Sequence, residues 1–123
     1  MKIKTSELTG RALDWAVARA IGAVEITEGT TRRLELPDGY SVYDRYASTF
    51  SPSTTWSQCG SLIERYLIEL NNQVISENEV EHWATCVDEY IYGLTALEAA
   101  CRIVVHVKLG DEIEIPDELL ETR

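Results

Sequence analysis

The chain has 123 residues, 45% of them hydrophobic, and a formal charge of −10 from 21 acidic and 11 basic side chains. That length suits one domain with its own core, and no apolar run approaches the roughly 18 residues that would span a bilayer. The acidity argues against nucleic acid as a partner, because phosphate binding draws on clustered Lys and Arg.

Met1-Lys2-Ile3-Lys4 leads into polar Thr5-Ser6-Glu7 instead of an apolar segment, so no secretory signal is expected and the chain is assigned to the cytoplasm. Leu8 to Ile21 reads as an amphipathic helix: Leu8, Ala12, Leu13, Ala16, Val17 and Ala20 share one arc, with Trp15 at its edge and Asp14 opposite. Thr9 or Ser6 can cap it, and Gly22 can stop it. Arg33 to Leu36 and Tyr40 to Tyr43 alternate on either side of Pro37-Asp38-Gly39, which predicts a hairpin. Ser61-Leu62-Ile63-Glu64 has the form of a capping box opening a short helix. Ile68-Glu69-Leu70 follows as a strand that Asn71-Asn72 interrupts, and His82 to Val87 fits another. Thr95-Ala96-Leu97-Glu98 is a second capping box, and with Gly110 it brackets a helix over 96–109. Ile113-Glu114-Ile115 makes a last strand, ended by Pro116. The elements mix without regular βαβ alternation, so the expected class is α+β: two main helices on a small, mostly antiparallel sheet. One domain is expected over 1–116, with an acidic tail at 117–123.

The densest cluster of hydrogen-bonding side chains is Ser51-Pro52-Ser53-Thr54-Thr55-Trp56-Ser57-Gln58-Cys59-Gly60. Two readings stand beside each other. The hydroxyls can bond neighbouring backbone and make a rigid connection into the helix at Ser61. Alternatively Ser51, Ser53, Thr54, Thr55, Trp56, Ser57 and Gln58 form a recognition loop, with the indole stacking on a planar group and the polar side chains taking oxygens or phosphates; Tyr40, Tyr43 and Tyr46 would add an aromatic wall. On the helix over 96–109, Ala96, Ala100, Ile103, Val104 and Val107 form the inward stripe, whereas Glu98, Arg102 and His106 recur every four residues as an outer ridge flanked by Val105 and Leu109. Aliphatics on an outer face predict an interface there, in its simplest form a homodimer.

Signatures of chemistry are otherwise sparse. His82 and Cys86 would share a helical face, but on a strand they stand about 13 Å apart, too far to chelate one ion, so no metal or other cofactor is expected. Cys59, Cys86 and Cys101 are an odd set without a CxxC pair, which suits free thiols, and nothing near them in sequence supplies a base. No glycine-rich phosphate cradle is present. The balance favours a binding protein over an enzyme. The acidic side chains are read as a solvated surface, with mimicry of DNA as the sharper alternative.

Three separated blocks, Leu8 to Ala18, Ser51 to Gln58 with Gly60, and Ala99 to Pro116, resemble the NinX-like family of small bacteriophage proteins. The resemblance implies a phage accessory protein made in the cytoplasm of an infected bacterium, and it supplies no biochemical activity. Against the usual family pattern, Thr55 replaces Asp, Cys59 replaces Gly, Ser61 replaces Pro and Leu67 replaces Gly. Loss of an acid beside Trp56 weakens an acid–base role for the loop more than a binding role. Two functions follow as expectations: a module that captures a small polar or nucleotide-like ligand in the Ser51–Gly60 loop, or an acidic factor that modulates a host protein.

Overall fold

The computed structural model describes residues 1–29, 31–36 and 50–120, and these form the expected α+β architecture. Strand β1 (Lys2–Lys4) precedes a single 3-10 turn and helix α1 (Gly10–Ala20), and strands β2 (Val24–Glu28) and β3 (Thr31–Glu35) follow. Helix α2 (Trp56–Tyr66), strands β4 (Glu69–Ser76), β5 (Glu79–Cys86) and β6 (Glu89–Gly93), helix α3 (Ala96–Leu109) and strand β7 (Glu112–Glu114) complete the order.

Helix α3 is the axis of the fold, because every residue from Leu97 to Val105 is buried. Its start is as the sequence predicts: Thr95 Oγ1 accepts a hydrogen bond from the Glu98 N–H at 3.0 Å. At the other end Gly110, at φ 96°, accepts the turn that ends the helix. Strands β4, β5 and β6 form an antiparallel sheet in that order, and Ala84, Cys86 and Ile91 on its inner face are buried beside α3. Contact is close: a Cβ on Gly93 would lie 2.4 Å from the Ala99 nitrogen, so only glycine lets β6 run this near the helix. Helices α1 and α2 pack on other sides of α3. Strand β1 pairs antiparallel with β7, joining Ile3 to Ile113 in register. Buried Thr5 continues that seam, its N–H donating to the Asp111 carbonyl at 2.7 Å and its hydroxyl to the Gly110 carbonyl at 2.6 Å.

Several expectations need correction. The hairpin containing Arg33 to Leu36 pairs β3 with β2, which precedes it, around Gly29 at φ 62°. The predicted turn Pro37-Asp38-Gly39 and strand Tyr40 to Tyr43 lie outside the described residues. Asn71-Asn72 interrupts nothing; both lie within β4, whose exposed edge position imposes no apolar alternation. Strand β6 was not foreseen. Helix α2 begins at Trp56, five residues before the expected capping box, and the Ser61 hydroxyl donates back to the Ser57 carbonyl at 3.5 Å as a mid-helix serine does. After Pro116 the chain makes a 3-10 turn over Asp117–Leu119, and Leu119 is buried in the core.

Candidate functional site

Residues 51–58 are half turn and half helix. The Thr54 and Thr55 N–H groups both donate to the Ser51 carbonyl, at 3.1 and 3.0 Å. The Ser51 N–H donates to Gln58 Oε1 at 2.6 Å, while the Ser51 and Thr55 hydroxyls bond each other at 2.9 Å. Pro52 and Ser53 are buried, and the Ser53 N–H donates to Asp14 Oδ1 on α1 at 2.9 Å. The Ser53 hydroxyl is buried beside the same carboxylate and favours its charged form, but makes no hydrogen bond of good geometry. Asp14 retains 7% of its accessible surface. Removal from water pushes its carboxyl up to about 6, outweighing the N–H it accepts from Ser53.

The seven loop residues therefore divide. Ser51, Ser53, Thr55 and Gln58 turn polar atoms toward the loop's own backbone, toward each other or toward Asp14; Thr54 is exposed, though its hydroxyl donates to the Ser51 carbonyl at 3.4 Å, and Ser57 and Trp56 face solvent, the indole 60% exposed. Asp14, placed opposite the apolar arc in the sequence reading, is instead covered by this turn. The one available clue was its position between Leu13 and Trp15, as the one polar residue of the stretch 12–18. Tyr40, Tyr43 and Tyr46 lie outside the described residues.

The outer ridge of α3 is also corrected, because it faces the interior. Glu98 and Arg102 are buried and paired at 3.0 Å. Glu98 accepts from the Leu94 N–H at 2.8 Å and from the Thr9 hydroxyl at 2.8 Å, and Arg102 donates to the carbonyls of Leu8 at 2.8 Å and Tyr92 at 2.9 Å. These two side chains fasten α3 to the start of α1 and to β6. Burial lowers the affinity of the Arg102 guanidinium for its proton, and the Glu98 carboxylate partly restores it. Val105 is fully buried, so it belongs to the monomer's own core and cannot flank an interface. His106 lies between Glu89 and Asp111, 3.0 Å from a carboxylate oxygen of each. Of the proposed interface set only Leu109, 41% exposed, offers apolar surface.

The surface that sequence reasoning missed is the outer face of the β4–β6 sheet. With Ala84, Cys86 and Ile91 turned toward α3, alternation sends Glu81, Trp83, Thr85, Tyr90 and Tyr92 the other way, and the register adds Glu69, Asn71 and Gln73. Trp83 stands opposite Tyr92 with ring centroids 5.9 Å apart, and Tyr92 meets Tyr90 edge to face at 5.9 Å. Tyr90 and Tyr92 are exposed, and the Asn71 amide donates to the Thr85 hydroxyl at 3.2 Å. The clue was present in period two: Trp83, Thr85, then Tyr90, Tyr92.

Elsewhere, a cleft of about 460 Å³ lies between Trp15, Arg19 and Glu25 on one side and Met1, Glu114 and Asp117 on the other. The Arg19 guanidinium stacks over the Trp15 ring at 5.7 Å, and the Met1 amine pairs with Glu114 and Asp117. Cys59, Cys86 and Cys101 are buried thiols. A hydrogen bond to Cys59 and burial hold the Cys101 thiol far above its usual range, which leaves it unreactive. Among the described residues no three His, Cys, Asp or Glu side chains gather as a metal site, and no helix is long and apolar enough to cross a membrane.

The family described as Bacteriophage P22, NinX matches residues 4–108. The chain belongs to that family. The match runs from β1 almost to the end of α3, so the Asp14–Ser53 turn, the Glu98–Arg102 fastening and the aromatic sheet face all lie within NinX-family sequence. No curated protein matches the chain. Membership is consistent with a phage accessory protein.

Proposed function

We propose that this NinX-family protein works in the cytoplasm of the infected cell as a non-catalytic interaction factor, docking a basic surface of a host protein on the open face of its β4–β6 sheet. The observation that carries this is the Trp83–Tyr92–Tyr90 row, its two tyrosines exposed and Trp83 half-buried, on the same face as Glu69 and Glu81. Neighbouring sequence sharpens the charge argument: between Arg65 and Arg102 there is no Lys or Arg, while Glu69, Glu77, Glu79, Glu81, Asp88, Glu89 and Glu98 all fall there. A partner with exposed Arg finds carboxylates for its guanidinium groups and ring faces for cation–π contact.

The test is site-specific photo-cross-linking in infected cells from a benzophenone side chain at position 90, with position 108 on α3 as control. A discrete protein adduct from position 90 that Trp83→Ala abolishes supports the reading. Adducts of equal yield from both positions would refute it.

A second reading is favoured by Trp56, exposed at the first turn of α2 with Thr54 and Ser57 exposed beside it. There the indole stacks on a small polar or nucleotide-like ligand. Native mass spectrometry of protein purified from infected cells distinguishes the two. A bound small-molecule mass lost on Trp56→Ala supports the loop, and protein-only species leave the sheet face.

A further inference from the structure

Strand β4 is an edge without the usual protection. It pairs with β5 on one side, and among the described residues nothing pairs with the other. The pairing is regular from Glu69 to Val74, and its one irregularity falls between Val74 and Ser76. Exposed edges normally carry Lys, Pro or an inward charge to discourage added strands. Here the seven residues Leu70-Asn71-Asn72-Gln73-Val74-Ile75-Ser76 contain no charge and no proline, in a chain where 26% of residues are charged. Val74 is 69% exposed and Ile75 53%, so aliphatic surface accompanies the open backbone.

We infer that β4 is a self-association edge, pairing antiparallel with β4 of a second copy to make one six-stranded sheet. Matching chemistry selects the occupant: an uncharged edge takes an uncharged strand, and residues 70–76 of a second copy are one. Two copies that each carry −10 repel over most of their surfaces, and the uncharged run is where their backbones can meet with opposed carboxylates only at its two ends. Antiparallel pairing of identical strands is self-complementary about a two-fold axis normal to the sheet. That axis has a geometric consequence: the outer faces of both copies lie on the same side, so two Trp83–Tyr92–Tyr90 rows stand on one continuous surface. Self-association thus moves from the ridge of α3, which is internal, to the opposite edge of the sheet that α3 supports.

Glu69 and Glu77 bracket the uncharged run, and antiparallel pairing brings those of one copy near those of the other. Added salt screens this repulsion, so the dimer strengthens as ionic strength rises. A basic partner on the sheet face responds in the opposite sense, which separates the two contacts.

Light scattering across a concentration series, at low and high salt, gives the mass. The expected value approaches twice the 13.9 kDa of one chain, at lower concentration in high salt. Hydrogen exchange of the wild-type protein should show the amides of residues 70–76 slowing as concentration rises. Replacing both exposed side chains, Asn72→Glu with Val74→Glu, should return the mass to that of one chain with the remaining exchange pattern unchanged. A wild-type mass that stays at 13.9 kDa, with exchange at 70–76 independent of concentration, would overturn the inference. So would a double variant that remains dimeric. Should the variant fail to fold, the wild-type exchange experiment decides alone.

Discussion

Replacing Asp14 with Asn should make the protein more stable at neutral pH, although Asp14 accepts a hydrogen bond in the native structure. Burial raises its carboxyl from an ordinary 3.8 to about 6, so the folded state holds this proton more tightly than the unfolded chain does. The native state is accordingly favoured by protonation below pH 3.8, loses that advantage as pH rises through 6, and above 6 bears the full cost of a buried carboxylate. At roughly 1.36 kcal/mol per pH unit the cost is about 3 kcal/mol, an upper value because local relaxation reduces it. Asparagine cannot ionise, its Oδ1 can still accept from the Ser53 N–H, and its amide can donate to the otherwise unpartnered Ser53 hydroxyl. Urea unfolding at intervals from pH 4 to pH 8 gives the assay. The variant's advantage should be near zero at pH 4 and grow to about 1–3 kcal/mol by pH 7. Taking the difference between the two proteins cancels the other titrations they share. Asp14→Ala instead should be destabilised by about 1–3 kcal/mol at pH 4, because the buried Ser53 N–H loses its acceptor, and that deficit should shrink toward pH 7, because alanine also escapes the cost of the buried carboxylate. A difference between wild type and Asp14→Asn that stays flat with pH, or an asparagine variant less stable at pH 7, would refute this account.

Gly93→Ala should cost at least about 2 kcal/mol in denaturant unfolding, since the new methyl meets the Ala99 backbone and neither β6 nor α3 can retreat without opening the core. Val87 and Leu67 hold positive φ of 58° and 53° with exposed side chains, so Val87→Gly and Leu67→Gly should each raise the melting temperature, corresponding to about 1 kcal/mol of relieved strain. Arg102→Ala should destabilise by about 3–5 kcal/mol, because it leaves the Glu98 carboxylate and the Leu8 and Tyr92 carbonyls without their buried donor; Arg102→Lys should recover only part, as one ammonium cannot serve three directions. Val105→Asp should leave no cooperative unfolding transition, whereas Leu109→Asp should fold, which separates a core position from a surface one by circular dichroism.

What could be read from the sequence was local chemistry. Thr95, Glu98 and Gly110 mark α3 because capping uses residues within a few positions of each other. The same spacing showed that Glu98, Arg102 and His106 share a helical side, but not what covers it, because the covering groups are backbone carbonyls and a hydroxyl at 8, 9 and 92. Asp14 was misplaced for the same reason, its cover being Ser53, 39 positions away. The polar composition of 51–55 concealed the start of α2, since serine and threonine serve turns and helix starts equally well. Strand β4 lacked a signal because an edge open to water does not need alternating hydrophobicity, and the aromatic face escaped notice because its residues come from two strands that only the register brings together.

The Glu98–Arg102 fastening also sets a timetable. Its ligands are residues 8 and 9 near one end of the chain and 92 to 94 near the other, and β1 finds its partner only at 112–114. During synthesis, α1 forms early yet lacks its main packing partner until α3 has left the ribosome, whereas the β4–β5–β6 hairpins can close among themselves as they appear. Strand β1 therefore waits for β7, and the central sheet, with its open edge and aromatic face, can form before α3 covers its inner side.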